Sequence, residues 1–287
     1  MLWWAVRGRL PLDRRAPSLR TLLTASVPLA AMALLEQAVL KLDAFVLGLR
    51  FPSEVVGTAG LAVYAVFFFP RMLADSIGRA LYPALVRFGE DPPRLFDAFR
   101  VATVFLASFS VPMSFFLFVN AELAVLFLGG DRWLGAADYL RILSLVPLVR
   151  PLAMFGLELL LTRHMDRLLI AYTATNLLAL GGLGLYLTST DLGPNGMAVA
   201  GYFPLGLLFL TWGIWRLDRS GLLRLGRELL EIDGIAAALF LPIWWLIPAT
   251  AAWTRFGLSA VAGLVVVAFA AWRFGSGWRR FLEGASA

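Results

Sequence analysis

Long apolar stretches recur along the whole chain and constrain its fold more than any other feature. Eight of them come close to the length that an α-helix needs to cross about 30 Å of hydrocarbon, which is about 20 residues. They are 21–49, 55–86, 101–119, 139–162, 168–187, 196–215, 234–249 and 257–272. Because backbone polar groups find no water inside a bilayer, and because these runs are continuous rather than alternating, each predicts a membrane-spanning α-helix.

The composition supports a membrane location and excludes several other classes of protein. Apolar residues make up 60% of the 287 positions and charged residues 15%, against about 45–50% and about 25% in soluble domains. This balance excludes a disordered chain and a soluble enzyme, and the absence of cysteine excludes a disulfide-stapled secreted domain. The sequence predicts an all-α, polytopic membrane helical bundle with about eight transmembrane helices.

The arginines indicate how the bundle is oriented, because cytoplasmic loops carry an excess of basic residues. If the N-terminus is inside, 17 arginines fall on the cytoplasmic side and three on the other. The 17 are Arg7, Arg9, Arg14, Arg15, Arg20, Arg87, Arg94, Arg100, Arg163, Arg167, Arg216, Arg219, Arg224, Arg227, Arg273, Arg279 and Arg280, and the three are Arg50, Arg132 and Arg255. This bias predicts an N-in, C-in topology.

Three charged residues of the second span, Arg71, Asp75 and Arg79, are spaced four apart and therefore share one helix face. With a rise of 1.5 Å per residue, Arg71 lies about 24 Å from the outer end of this span. Charges inside a membrane are unfavourable unless they face protein or water. The stripe is either an anion-attracting wall of an inward-facing cavity or a salt-bridge ladder whose ends reach the interface.

Arg150 is predicted to lie deeper, about 18 Å below the outer end of the fourth span, between Pro147 and Pro151. A guanidinium presents a planar fork that suits phosphate or an acidic sugar. The alternative is a structural ion pair with Glu158 or Glu36.

The first span contains Glu36, Lys41 and Asp43. Glu36 and Asp43 are seven residues apart and share a face, while Lys41 lies on an adjacent one. Together with Asp75 and Glu158, these residues are candidates for coupling to an ion or for pairing with the arginines.

No catalytic or metal-binding motif occurs in the sequence. We therefore expect no enzymatic activity, no catalytic or metal-ligating residues, no cofactor and no nucleic-acid partner.

Several segments resemble a known family. They are LDAFVLGLRFPSEVVGTAGLAVYAVFFFPRMLADSIGRALYPALVRFGEDPPRLFDAFR at 42–100, LFLGGDRWLGAADYLRILSL at 126–145 and LLLTRHMDRLLIAYTATNL at 159–177. Their succession resembles the multidrug/oligosaccharidyl-lipid/polysaccharide flippase superfamily, specifically its polysaccharide biosynthesis branch of the O-antigen flippase type. The resemblance covers about 18–216.

The resemblance implies a domain organisation, since such transporters contain two six-helix lobes. Residues 1–20 resemble the basic cytoplasmic linker between the lobes, and 21–216 resemble the second, C-terminal lobe. Residues 217–233 are expected to form a cytoplasmic amphipathic connector, and 234–287 two additional transmembrane helices with a short basic tail. The first lobe is absent, so we expect the chain to need an N-terminal lobe or a partner subunit.

The resemblance also implies a function, which is to move a lipid-linked oligosaccharide across a bacterial or archaeal plasma membrane by alternating access. Arg71, Arg79 and Arg150 would then contact the phosphate of this substrate. Two alternatives stay open: a cation-coupled multidrug exporter of the same fold, and a membrane scaffold subunit that transports nothing.

Overall fold

The structure, a computed structural model, describes residues 19–88, 91–163, 165–202 and 205–286. Within these ranges the chain forms eleven α-helices, three 3-10 turns and no strand. The helices are α1 (Leu19–Gly48), α2 (Ser53–Arg87), α3 (Pro92–Val119), α4 (Ala121–Gly129), α5 (Ala137–Leu143), α6 (Arg150–Thr162), α7 (Asp166–Leu187), α8 (Asn195–Ala200), α9 (Leu207–Leu217), α10 (Arg219–Leu246) and α11 (Ala252–Ser286). The 3-10 turns are Asp131–Ala136, Val146–Leu148 and Ala249–Ala251. The predicted all-α membrane bundle is confirmed.

Among the described residues, five helices are long and apolar enough to cross a membrane, namely α2, α3, α7, α10 and α11. A sixth span forms if Asp131–Leu148 and α6, which meet at a bend of 46°, count together. These account for six of the eight predicted spans. The predicted span 21–49 forms α1, many of whose side chains lie outside the described residues, and the predicted span 196–215 is divided between the short helices α8 and α9. The Gly206 N–H at the start of α9 donates to Asn176 Oδ1 of α7 at 2.8 Å, so a neighbouring helix satisfies a free backbone donor there.

Helix α3 lies at the centre of the bundle and packs against α2, α6, α10 and α11. In its most apolar stretch 72% of the residues are buried, against 17–22% in the other four candidate spans. The helix begins where Asp91 accepts a hydrogen bond from the Arg94 N–H at 3.2 Å and Pro92 and Pro93 occupy the first turn. Two buried hydroxyls of α3 donate to carbonyls of the preceding turn, Thr103 to Phe99 at 2.8 Å and Ser108 to Val104 at 2.7 Å.

Helix α10 differs from the prediction, because 219–233 continues without a break into the apolar stretch that follows. The leucine spacing that predicts an amphipathic surface connector does form a helix, but its apolar face is covered by protein. Leu225 and Ile232 are fully buried in the core around α3. The same contact includes an ion pair from Arg100 of α3 to Glu228 of α10 at 2.7 Å.

A second, smaller core lies at the opposite end of the bundle, where α2 begins. It is formed by the end of α1, the start of α2, and α4, α5 and α8, with Leu47, Leu140 and Ala198 fully buried. This core holds the N-terminal end of α2 in place and leaves the rest of that helix with one uncovered face.

Candidate functional site

One face of α2 is uncovered along most of the helix and carries both charged and aromatic side chains. We call this face the α2 stripe and define it as Tyr64, Phe68, Arg71, Met72, Asp75, Ser76, Arg79 and Tyr82, all of which are exposed. They recur at three- and four-residue intervals, with the adjacent pairs Arg71–Met72 and Asp75–Ser76, which is the spacing of one broad helix face. Arg71 and Arg79 lie about 12 Å apart along the helix axis.

The exposed faces of α10 and α11 are different, because they are apolar over the length of a membrane span. Leu230 and Leu241 of α10 are 71% and 44% exposed, and Leu264 of α11 is 71% exposed. Trp253 and Trp272 are 69% and 80% exposed and lie about 28 Å apart along α11. This pattern is typical of a lipid-facing surface with an aromatic belt at each interface. The α2 stripe differs from these surfaces, because lipid tails would not solvate its charges.

The three charges of the stripe do not form the salt-bridge ladder that was one interpretation of their spacing. Within the described part of the chain, no ion pair or side-chain hydrogen bond includes Arg71, Asp75 or Arg79. The stripe instead presents two guanidinium groups and one carboxylate to the space outside the bundle.

Arg150, the first residue of α6, lies beside α2. Its guanidinium carbon is 4.2 Å from the centre of the Phe67 ring, a distance at which a cation and an aromatic face attract each other. Phe67 and Arg71 are one helical turn apart. The structure therefore brings Arg150 next to the N-terminal half of the α2 stripe.

Glu158 of α6 packs closely against α2 near the middle of the stripe. A Cβ added at Gly78 would lie 3.0 Å from Glu158 Oε1, so glycine at this position permits the contact. Glu158 is close enough to Asp75 for their charges to interact. Among the described residues Glu158 forms no ion pair, with Arg150 or any other residue, and its buried Oε2 has no hydrogen-bond partner.

The candidates on α1 are placed apart from one another. Lys41 is exposed, whereas Asp43 is half-buried and lies near Tyr139 of α5. The Glu36 side chain and residues 1–18 of the predicted linker lie outside the described residues. The structure thus brings together Arg71, Asp75, Arg79, Arg150 and Glu158, and separates Asp43 from them.

Several residues of this site are absent from the sequence-based candidates, among them Met72, Tyr82 and Gly78. Met72 and Tyr82 are 51% and 45% exposed and flank the charged residues. Their spacing from Arg71 and Arg79 is the signal that would have placed them on the same face. Gly78 carries no such signal, because its role depends on the approach of α6.

Comparison with known proteins adds one finding. Residues 1–138 match a protein family described as polysaccharide biosynthesis protein. The match supports a relationship to that family. It covers just under half of the chain and includes the whole α2 stripe, but it ends before Arg150 and Glu158. No curated protein matches the chain, and no solved structure matches it either.

Proposed function

We propose that this chain is a lobe of a membrane transporter that moves a lipid-linked oligosaccharide from the cytoplasmic to the outer leaflet. The family match supports a role in polysaccharide biosynthesis, and the apolar helices support a multi-pass membrane protein. The resemblance of the sequence to flippases accounts for both properties, because a flippase is a membrane protein that moves a polysaccharide precursor across the bilayer. The membrane would be the plasma membrane of a bacterium or archaeon.

The observation that carries this proposal is the α2 stripe. Arg71, Asp75 and Arg79 are exposed and without ion pairs among the described residues, on a helix that is long enough to span a bilayer. Arg71, about 24 Å from the outer end of the span, lies within the hydrocarbon, where a charge is stable only beside water or another protein surface, while Asp75 and Arg79 lie about 6 and 12 Å further on, at the inner interface. A water-filled cavity between this lobe and a second one provides both, and alternating exposure of a site between two lobes is how such transporters work.

The chemistry of the stripe suits an anionic substrate. Arg71 and Arg79 each offer several N–H donors in a rigid plane, which matches the oxygen atoms of a phosphate or diphosphate. Arg150 lies at Phe67, one helical turn from Arg71, and adds a further guanidinium group at that end of the stripe. The exposed rings of Tyr64 and Phe68, 5.0 Å apart, offer an apolar surface next to the charges. The chain would act without a cofactor and without catalysing a reaction.

Binding of a defined substrate tests this proposal. The full chain is reconstituted in nanodiscs, and binding of prenyl-diphosphate-linked N-acetylglucosamine is measured by native mass spectrometry. Because one hydrogen bond to a charged group contributes about 1.5–3 kcal/mol, Arg71→Gln and Arg79→Gln should each weaken binding at least about tenfold. Arg224→Gln is the matched control, since Arg224 is exposed on α10 and away from the stripe.

Other outcomes would favour the alternatives. If the lipid-linked sugar binds equally well to the wild type and to both stripe variants, the phosphate role of the stripe is wrong. Binding of cationic dyes that is lost in Asp75→Asn would favour a multidrug exporter. If neither ligand binds, a scaffold subunit is the better description.

A further inference from the structure

A separate concavity lies at the other end of the bundle, where α2 begins. It has a volume of about 300 Å³ and is lined by residues of α2, of the 3-10 turn before α5, of α5 itself and of the start of α8. Thr58, which lines it, lies about 20 Å along the helix from Arg71, so this pocket is distinct from the charged half of the α2 stripe. Its volume is at the lower end of the range for small-molecule sites, about 300–1,000 Å³.

Tyr139 is the feature that points to a ligand. This residue lines the pocket although it is only 4% exposed. Its hydroxyl makes no hydrogen bond with any residue of the described chain. Because the hydroxyl oxygen has no partner but is not enclosed, it opens into the pocket, where a polar group of a ligand can pair with it.

The other lining groups determine which chemistry fits. Glu54 and Asp138 add carboxylates that accept hydrogen bonds, and Asn195 adds an amide that both donates and accepts. Asp138 already accepts from Arg141 at 3.0 Å, whereas Glu54 has no ion pair among the described residues. Val55, Ala59 and Pro194 form the apolar part of the wall.

A metal ion does not fit this arrangement. Although Asp43 lies near Tyr139, no three acidic residues of the described chain come together closely enough to hold a metal. A small molecule that bears several hydroxyl groups does fit, because each hydroxyl can donate to a carboxylate and accept from Tyr139 or Asn195. The carboxylates would repel a sugar acid.

We infer that this pocket binds one uncharged sugar unit, with Tyr139 as a hydrogen-bond donor and Glu54 as an acceptor. The biological role of this pocket rests on the proposed function. The orientation predicted from the arginines places this end of the bundle on the outer side of the membrane. There the pocket would receive a sugar of the glycan at the end opposite the phosphate-binding stripe.

Soluble sugars test the pocket without the lipid carrier. Saturation-transfer NMR on the full chain in nanodiscs, with D-glucose, N-acetyl-D-glucosamine and D-glucuronate as probes, should detect saturable binding of a neutral sugar and not of glucuronate. Tyr139→Phe keeps the ring and should weaken this binding about fivefold, the effect of one neutral hydrogen bond. Tyr186→Phe is the control, because Tyr186 is 66% exposed and does not line the pocket.

Glu54→Gln provides a second, independent readout. Removing this charge should allow glucuronate to bind, while Asp131→Asn, which neutralises an exposed acid in the neighbouring turn, should not. The inference is overturned if no neutral sugar binds, if Tyr139→Phe binds as tightly as the wild type, or if glucuronate binds the wild type. Soluble sugar binding without binding of the prenyl-diphosphate-linked sugar would leave the pocket in place and refute the proposed function instead.

Discussion

Replacing Arg100 with glutamine should destabilise the bundle by about 3–5 kcal/mol, because it would leave a buried carboxylate without its partner. The Arg100 and Glu228 side chains are 17% and 12% exposed, and they join α3 to α10 through two hydrogen bonds of 2.7 and 3.0 Å. Arg100 also contacts Asp97 at 2.6 Å, but the Asp97 side chain is 58% exposed. Loss of Arg100 would therefore leave Glu228 buried without a partner, whereas Asp97 would still be in contact with water.

The different burial of these side chains predicts how the variants rank in their loss of stability. Glu228→Gln should cost less, about 1.5–3 kcal/mol, since Arg100 keeps Asp97 as a partner. Asp97→Asn should cost about 0.2–1 kcal/mol, as exposed pairs do. The double variant Arg100→Met with Glu228→Met should recover most of the loss, because an apolar pair leaves no buried charge.

Equilibrium unfolding in mixed detergent micelles, followed by tryptophan fluorescence, measures these free energies of unfolding. Arg227→Gln is the control, because its pair with Glu231 lies on the surface of α10 with Arg227 80% exposed. Equal costs for Arg100→Gln and Asp97→Asn would refute the reasoning, since they would mean that water screens the contact between α3 and α10. A double variant no better than Arg100→Gln alone would refute it as well.

Two further predictions concern the backbone. Gly206→Ala should destabilise the fold by at least about 2 kcal/mol, because an added Cβ would collide with the Tyr172 carbonyl oxygen. Gly226→Ala, where nothing lies within 4 Å of an added Cβ, should instead stabilise α10 by about 0.5–1 kcal/mol in the same unfolding assay. The Asp218 side chain accepts a hydrogen bond from the Gly221 N–H at 2.9 Å, which lowers the pKa of Asp218 below 3.8. Asp218→Ala should cost about 1 kcal/mol at pH 7. Because a lowered pKa stabilises the fold only while the group is charged, the difference from wild type should begin to shrink near pH 3.8 and fall further as the pH drops through the lower pKa of Asp218 in the folded protein. A difference that does not shrink on acidification would contradict this role.

The helical membrane fold could be predicted because it depends on composition and on runs of apolar residues, which are local properties. The division of the predicted span 196–215 could not, because it depends on the contact between Gly206 and Asn176, which are far apart in the sequence. The continuous helix α10 was missed for a related reason. Leucines at helical spacing form an apolar face, but the pattern is the same whether a lipid surface or α3 covers it.

The candidate site was predictable to a similar extent. Four-residue spacing places Arg71, Asp75 and Arg79 on one face of a helix, and the structure has them there. Whether such a face is covered or open depends on how the other helices pack, and no local pattern contains that information. The position of Arg150 against Phe67 likewise depends on how α6 packs against α2.

The central position of α3 has a consequence for how the protein is made. Helix α10, which covers α3, begins at residue 219, whereas α3 ends at residue 119, 100 positions earlier. At a synthesis rate of about 5–20 residues per second, about 5–20 s pass between synthesis of the end of α3 and synthesis of the start of α10. During that time the surface of α3 that Leu225 and Ile232 of α10 later cover lacks its final neighbours. Lipid or another membrane protein therefore contacts this surface until α10 is made.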